Sequence, residues 1–209
     1  RSFHVTGVQT CALPIYDKQD RVDLIGASSP EHRLSMITNI TPNIIACIVS
    51  LGDVYSQKKQ YTRAEAYYKK SLQVIHGLYG ERAAVHHAAV VLYNQGANFS
   101  CWRQCWNADQ CYTEASAVCR KLSPDDDTVD VAKTLHNQGI NYSDMKQYSN
   151  ADQCYTEALA IYRKLSPGDE TVDIANTLNN QGYNYRCMKQ YSNADQCYTE
   201  ALAVYRKLS

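Results

Sequence analysis

The chain has 209 residues, and its 21 Lys and Arg cancel its 21 Asp and Glu, so no electrostatic footprint points to DNA, RNA or an anionic membrane surface. A mean hydropathy of −0.47 and the lack of a long apolar run exclude a transmembrane helix. Seventeen tyrosines stand against two Phe and two Trp, an imbalance that recurrent spacing explains further along the chain.

Residues 1–15 predict no fold. Val5-Thr-Gly-Val-Gln-Thr-Cys-Ala-Leu-Pro-Ile15 resembles the in-frame translation of a sequencing-library adapter, and the chain has no initiating Met and stops at Ser209 inside a repeat. Both features suit the conceptual translation of an incomplete transcript. Residues 16–40 say least: Tyr16–Ile25 reads as the remnant second helix of a preceding repeat, with an inter-repeat loop at 28–32.

From Thr41 onward one frame recurs, dividing the chain into 41–82, 83–125, 126–168 and 169–209. Gly52, Gly96, Gly139 and Gly182 follow one another at steps of 44, 43 and 43 residues, a period expected of stacked helix pairs. Around them stand Leu92, Gln95, Gly96, Phe99, Ala108, Tyr112 and Ala115, then Leu135, Gln138, Gly139, Tyr142, Ala151, Tyr155 and Ala158, then Leu178, Gln181, Gly182, Tyr185, Ala194, Tyr198 and Ala201. Each unit predicts a helix A through the Gly, a polar turn such as Lys146-Gln147, and a helix B packed on an Ala/Tyr/Ala stripe at i, i+4 and i+7, which in the first unit reads Ala64, Tyr68 and Ser71. The Gly lets the two helices approach closely. Arg-Lys-Leu-Ser-Pro closes helix B of the second and third units, with basic residues at the negative end of the dipole. Asp125–Asp127 and Asp169–Glu170 suit the positive end of the next helix A, and Thr41-Pro42 reads as a capping residue with Pro at the first helical position.

This frame resembles the tetratricopeptide repeat, in the long-repeat form of kinesin light chains and nephrocystin-3-like proteins. The resemblance covers 41–209 and implies an all-α, right-handed superhelix, an α-solenoid of about four helix-turn-helix repeats. One departure is Gln95, Gln138 and Gln181, where the pattern usually has Leu, as at Leu51.

The segments 130–166 and 173–209 agree at 30 of 37 positions. Two of the seven differences are Val/Ile exchanges. The other five, Lys133/Asn176, His136/Asn179, Ile140/Tyr183, Ser143/Arg186 and Asp144/Cys187, step by 3, 4, 3 and 1 and so share one helical face. A fixed scaffold with one varied stripe suits a surface that reads a partner; drift on a tolerant solvated face is the alternative. The resemblance implies that helix A lines a concave groove, with this stripe pointing into it. The expected peptide-binding residues are Tyr93, Lys133, His136, Ile140, Asn176, Asn179, Tyr183 and Arg186 for side-chain selection. Asn94, Asn137 and Asn180, constant beside the stripe, would hold the backbone of an extended peptide, as groove asparagines do in kinesin light chains; alternatively they only solvate the helix. Lys133, Arg186 and His136 make this stretch mildly basic, so the expected ligand is an acidic or aromatic-acidic peptide. No nucleic acid or membrane partner is expected, whereas self-association is expected through uncapped ends, with Leu202, Val204 and Tyr205 available on the last helix.

No cofactor, metal or catalysis is expected. Cys101-x-x-x-Cys105, with Cys111, Cys119, His86 and His87 nearby, lacks the CxxC knuckle of a zinc site. HExxH, GxSxG and phosphate-binding glycine loops are absent. Cys111, Cys154 and Cys197 recur as single thiols on helices, suiting buried free cysteines in a reducing, cytoplasmic setting. Trp102 and Trp106 are expected to cover a helix A/B turn. The resulting expectation is a protein–protein interaction scaffold from a larger protein. The alternatives are a kinesin light chain-like cargo adaptor, a sensor arm of an NTPase or transferase, or a spacer.

Overall fold

The computed structural model describes residues 30–83, 85–122, 128–168 and 171–208. Among them are eight helices and no strand: α1 (Pro30–Gln57), α2 (Tyr61–Ala83), α3 (Val85–Cys101), α4 (Cys105–Leu122), α5 (Val129–Asp144), α6 (Tyr148–Leu165), α7 (Val172–Cys187) and α8 (Tyr191–Leu208). The chain divides into two compact units, Arg1–Ile44 and Ile45–Ser209. Described residues of the first are the opening turns of α1; the second holds the helix pairs. The adapter-like segment and the remnant helix at Tyr16–Ile25 lie outside the described residues.

Thr41-Pro42 does not start a helix. α1 begins at Pro30 and runs through Pro42, so residues 30–32, expected in a loop, are helical. The same local signal, a hydroxyl residue followed by Pro, occurs at Ser29-Pro30 and at Thr41-Pro42, and α1 runs through the second. Pro42, inside the helix, has no N–H to donate to the helical ladder. The border between the two compact units, Ile44/Ile45, falls two residues beyond this defect.

Each pair is set by a tyrosine ring of helix B seated on the glycine of helix A. A Cβ on Gly52, Gly96, Gly139 or Gly182 would stand 2.6–2.9 Å from the Cε1 atom of Tyr68, Tyr112, Tyr155 or Tyr198. Tyr68, Tyr112 and Tyr155 are almost wholly buried, and Ala64, Ala108, Ala151 and Ala158 are fully so. The Ala/Tyr/Ala stripe is thus the inner face of helix B. Small residues let the axes close, and the ring fills the space between them.

The A-to-B turns repeat one geometry. After α5, the Lys146 N–H donates to the Ser143 carbonyl at 2.9 Å and the Gln147 N–H to the Tyr142 carbonyl at 2.8 Å, a Schellman closure. Its left-handed position is Lys or Arg in every turn: Lys59, Arg103, Lys146 and Lys189 have φ of 58–62°. A cation there faces the negative end of helix A. Helices α5 and α7 begin on caps of another kind, since Thr128 and Thr171 accept from the Val131 and Ile174 N–H groups at 3.3 Å. The acidic residues expected to serve these ends, 125–127 and 169–170, lie outside the described residues.

Successive units share an apolar core, with Val131, Ala132 and Leu135 of α5 meeting Leu159 and Tyr162 of α6 and Ile174 and Leu178 of α7. Backbones of successive A helices also come within 8 Å of each other, α3 with α5 and α5 with α7. Successive B helices are bridged by long side chains, Arg120 to Glu157 and Arg163 to Glu200. The A layer is therefore the tighter, inner one. α8 matches α6 at 17 of 18 positions, yet Leu202 and Tyr205 are 52% and 37% exposed where Leu159 and Tyr162, under α7, are 4% and 6%. Val204, expected beside them on the open side, is instead buried in its own pair.

Two of the three unusual glutamines, Gln138 and Gln181, join units. Gln138 Nε2 donates to Asp109 Oδ1 at 2.7 Å and Thr113 Oγ1 at 3.1 Å, and Gln181 repeats both bonds to Asp152 and Thr156 at 2.8 and 3.1 Å. The buried Asn141 and Asn184 amides donate to the Cys105 and Tyr148 carbonyls at 2.8 Å, each at the start of the preceding helix B.

Two stability outcomes follow from this packing. Gly139→Ala gains about 1 kcal/mol of helix propensity but forces the buried Tyr155 ring aside at about 1–3 kcal/mol, so urea melts should show a net loss. A neutral or stabilising result would contradict the ring-on-glycine contact. In a double-mutant cycle, Gln138→Leu and Asp109→Leu should couple by at least about 0.5 kcal/mol, whereas additive losses would mean that the bond between them carries no stability.

Candidate functional site

Helix A amphipathicity decides which side chains reach the inner layer. In α5 the buried side is Val131, Ala132, Thr134, Leu135, Gln138, Gly139 and Asn141, leaving Lys133, His136, Asn137 and Ile140 partly or fully exposed. In α7 the same division leaves Asn176, Asn179, Asn180, Tyr183 and Arg186.

Two cavities open on this face. One, of about 260 Å³, lies between α3, α4 and α5 and is lined by Ala89, Val90, Tyr93, Asn94, Cys119, Asp130, Lys133 and Thr134. The other, of about 270 Å³, is lined by Tyr93, Lys133, His136, Asn137, Tyr162, Asp173 and Asn176. Tyr93 and Lys133 belong to both. The structure thus gathers Tyr93, Asn94, Lys133, His136, Asn137 and Asn176 in one place, and Asn180 joins them through a contact with His136. Ile140, Asn179, Tyr183 and Arg186 line neither cavity. Arg186 lies over the exposed Tyr183 ring at 5.0 Å, a cation–π pair.

Asn137 and Asn180 are tied to the preceding unit, and Asn176 to its own. Asn137 Nδ2 donates to Tyr93 Oη at 2.7 Å, and Asn180 Nδ2 lies 3.3 Å from His136 Nε2. Tyr205 Oη donates to Asn176 Oδ1 at 2.6 Å. The two outermost members of the varied stripe differ from these amides. Asp144 pairs with Arg103 of the preceding turn at 3.0 Å, an exposed bridge worth about 1 kcal/mol at most. The Ser143 hydroxyl is buried without a hydrogen-bond partner. Asp144 and Ser143 line neither cavity, and Lys133, His136 and Ile140 remain as the varied inner residues of α5.

Sequence reasoning missed Asp130 and Asp173. Both line the cavities beside Lys133, so the local charge is mixed rather than simply basic. Their signal was available, because Asp130 and Asp173 sit three residues before Lys133 and Asn176, one helical turn away. Trp102 stacks on Phe99 and Tyr61 at centroid distances of 6.2 and 6.1 Å and covers its turn as expected. Trp106 does not, being 66% exposed.

Among the described residues no group of three His, Cys, Asp or Glu side chains could hold a metal ion, and no helix is long and apolar enough to cross a membrane. The cysteines there are free thiols. Burial, with Glu114 adding for Cys111 and Glu157 for Cys154, pushes both thiols up to about 12, leaving them protonated and poorly nucleophilic at neutral pH. Burial and a hydrogen bond to Asp109 or Asp152 likewise raise Tyr142 and Tyr185 to about 12. These four folded-state values lie above the ordinary 9.0 and 10.0. Their contribution to stability is complete below about pH 9 and is lost as pH rises toward about 12. The urea midpoint should therefore fall between about pH 9 and pH 11, and a midpoint unchanged over that range would contradict the burial of these groups.

Two models of the tetratricopeptide repeat match the chain, over residues 130–207 and 46–75. No curated protein sequence matches it. Among solved structures it is similar to BtubC (BKLC) from P. vanneervenii, at 20% identity and a TM-score of 0.70 over 80% of this chain and 65% of that one. It is also similar to MamA, at 18% identity and 0.56 over 92% and 96%, and to aspartyl phosphate phosphatase F from Bacillus subtilis, at 13% identity and 0.66 over 91% and 45%. The chain thus spans under two thirds of the length of the first and third of these, and at such identities the likeness is one of fold. Repeats of this kind form right-handed superhelical scaffolds for protein–protein interaction. With its helix pairs, its repeat matches and this shared fold, the chain belongs to the tetratricopeptide repeat family.

Proposed function

We propose that the inner face of the A helices binds a short extended peptide, and that the parent protein uses this piece as an interaction scaffold. The observation that carries the reading is the coincidence of two features found separately. The unit-to-unit differences concentrate on one helix A face, and the two cavities open on that same face. A merely tolerant surface has no reason to be concave there.

The chemistry suggests how the peptide is read. Asn94, Asn137 and Asn180 carry amides able to bond a peptide backbone whatever its side chains. The first cavity, with Ala89, Val90 and Cys119 among its lining residues, suits a compact apolar side chain. Lys133 and Arg186, both exposed, are the points where an acidic side chain would pair, with Tyr183 beside Arg186 for an aromatic one. Asp130 and Asp173 disfavour carboxylates deeper in the cavities, which confines the acidic preference to the rim. The free thiols, of which Cys111, Cys119 and Cys197 are buried, support a reducing compartment such as the cytoplasm. The open side of α8, with Leu202 and Tyr205 exposed, supports self-association at high concentration. A cargo-adaptor role of the kinesin light chain kind differs only in what carries the peptide.

Peptide display tests the reading. Replacing the stripe of α5 by that of α7, through Lys133→Asn, His136→Asn, Ile140→Tyr, Ser143→Arg and Asp144→Cys, should change the selected peptide profile. Stability should stay within about 1 kcal/mol, provided that Ile140→Tyr and Ser143→Arg are made together, since Arg186 rests on Tyr183. Asn137→Ala should weaken all peptides alike. Identical profiles for parent and five-fold variant would reduce the stripe to a tolerant surface.

A further inference from the structure

We propose that the side chain three residues before the glycine in one unit is the positioning residue for the groove amide of the next, and that His136 makes one such link respond to protons. The inference rests on the groove reading for its consequence, though not for its geometry.

Tyr93 and His136 occupy equivalent places, each three residues before its glycine, and Asn137 and Asn180 are equivalent asparagines one unit on. The first link is Asn137 Nδ2 donating to Tyr93 Oη at 2.7 Å. In the second the donor and acceptor can be worked out. The Thr177 hydroxyl donates to the Asp173 carbonyl at 2.7 Å. It has one hydrogen, so toward His136 Nδ1, at 2.8 Å, it can only accept. Nδ1 therefore carries the imidazole proton and Nε2 is a lone pair. The Asn180 Nδ2 group, 3.3 Å away, is then the donor to Nε2. One relay runs from the Asn180 amide through His136 and Thr177 to the backbone of Asp173, and it fixes which end of the Asn180 amide is turned toward the histidine.

Protonation breaks that order. A second proton on Nε2 would face the Asn180 N–H, donor against donor. The amide satisfies the imidazolium by turning its oxygen to Nε2, and its NH2 end is then turned away from the ring. A ligand carbonyl bound in one state meets the wrong group in the other. The Tyr93 link has no such alternative, because burial holds the Tyr93 hydroxyl above its ordinary value and it stays protonated through the physiological range.

The surroundings bear on where the change occurs. Facing His136 are Lys133 on its own helix, Asp173 from α7, Tyr93 from α3 and Tyr162 from α6, all lining the same cavity, with the Tyr155 ring edge-on at 6.1 Å. Burial lowers the histidine below its ordinary 6.5, opposed by the Asp173 carboxylate. A lowered folded value means that the neutral form is favoured in the fold. Stability from this group is whole above about pH 6.5 and declines below it, as the unfolded chain takes up the proton first.

Imidazole and side-chain amide NMR on the full chain tests the link without any ligand. At neutral pH His136 should show a protonated Nδ1 and an unprotonated Nε2, and the Asn180 amide signals should shift with the histidine's own midpoint. In His136→Tyr, which installs the residue native to the preceding unit, the Asn180 amide should stay bonded but cease to titrate. Thr177→Val should release the tautomer to a mixture. A protonated Nε2 in the neutral form, or an Asn180 amide indifferent to the titration, would overturn the proposal. A display library selected at about pH 7.5 and rebound about one pH unit below the histidine midpoint found by NMR reads the consequence, with a roughly tenfold loss expected in the parent and no pH dependence in His136→Tyr. Equal rebinding in the parent, with the NMR link intact, would refute the pH-dependent readout. Failure to select any peptide would count against the groove itself, whereas the link stands or falls with the NMR titration.

Discussion

A tyrosine ring resting on a glycine is the contact on which the rest of this structure depends. It sets the separation of the two helices in every pair, and no side chain fits at the glycine without moving the ring. Close pairing places the Ala/Tyr/Ala face inside and rotates helix A so that its opposite side meets the preceding unit. From that rotation come the buried Gln and Asn bonds to the previous helix B and the inward presentation of Lys133, His136 and Asn137. Identity of most residues between units is then a consequence of geometry. A repeat that changed its glycine or its tyrosine would alter the angle at which all later units are stacked.

Two kinds of polar residue share helix A, and they do different work. Gln138 and Asn141 are buried, meet fixed partners and join neighbouring units; their replacement leaves acceptors without donors. Asn137 and Asn180 are half-exposed and are held by a single bond each to the preceding unit. Such a bond orients an amide without consuming it, since an amide has two donors and an acceptor to offer. On the proposed reading, the groove is therefore preorganised at low cost, which favours binding because less freedom remains to be lost.

Much of the fold was legible in the sequence because it is written in small numbers of strongly constrained residues. Gly139, Tyr155 and the flanking alanines recur at fixed offsets, and a helix pair is the arrangement that uses them all. The helix start near Thr41 was not, since a hydroxyl residue before proline marks a beginning only where no helix already arrives from upstream. The role of Gln138 was hidden because its acceptors, Asp109 and Thr113, lie 29 and 25 residues earlier, and single-unit patterns do not connect them. At the site, comparison of two units found Lys133 and His136 because they differ. It passed over Asp130, Asp173 and Thr177, which are constant and line or brace the same place. Variation locates what discriminates between ligands; the invariant groups that shape the cavities need the third dimension.

The central claim is that one set of residues holds the repeat together and another, on the inner face of the A helices, reads a partner. A mutational scan of residues 129–187, scored separately for folded abundance and for capture of a display-selected peptide, addresses it most directly. The account predicts that Gly139, Tyr155, Gln138 and Asn141 fail in both scores, whereas Lys133, His136, Asn137, Asn176 and Asn180 fail in capture alone. Capture-only losses concentrated on the outer face of α6, or found nowhere in the scanned segment, would contradict it.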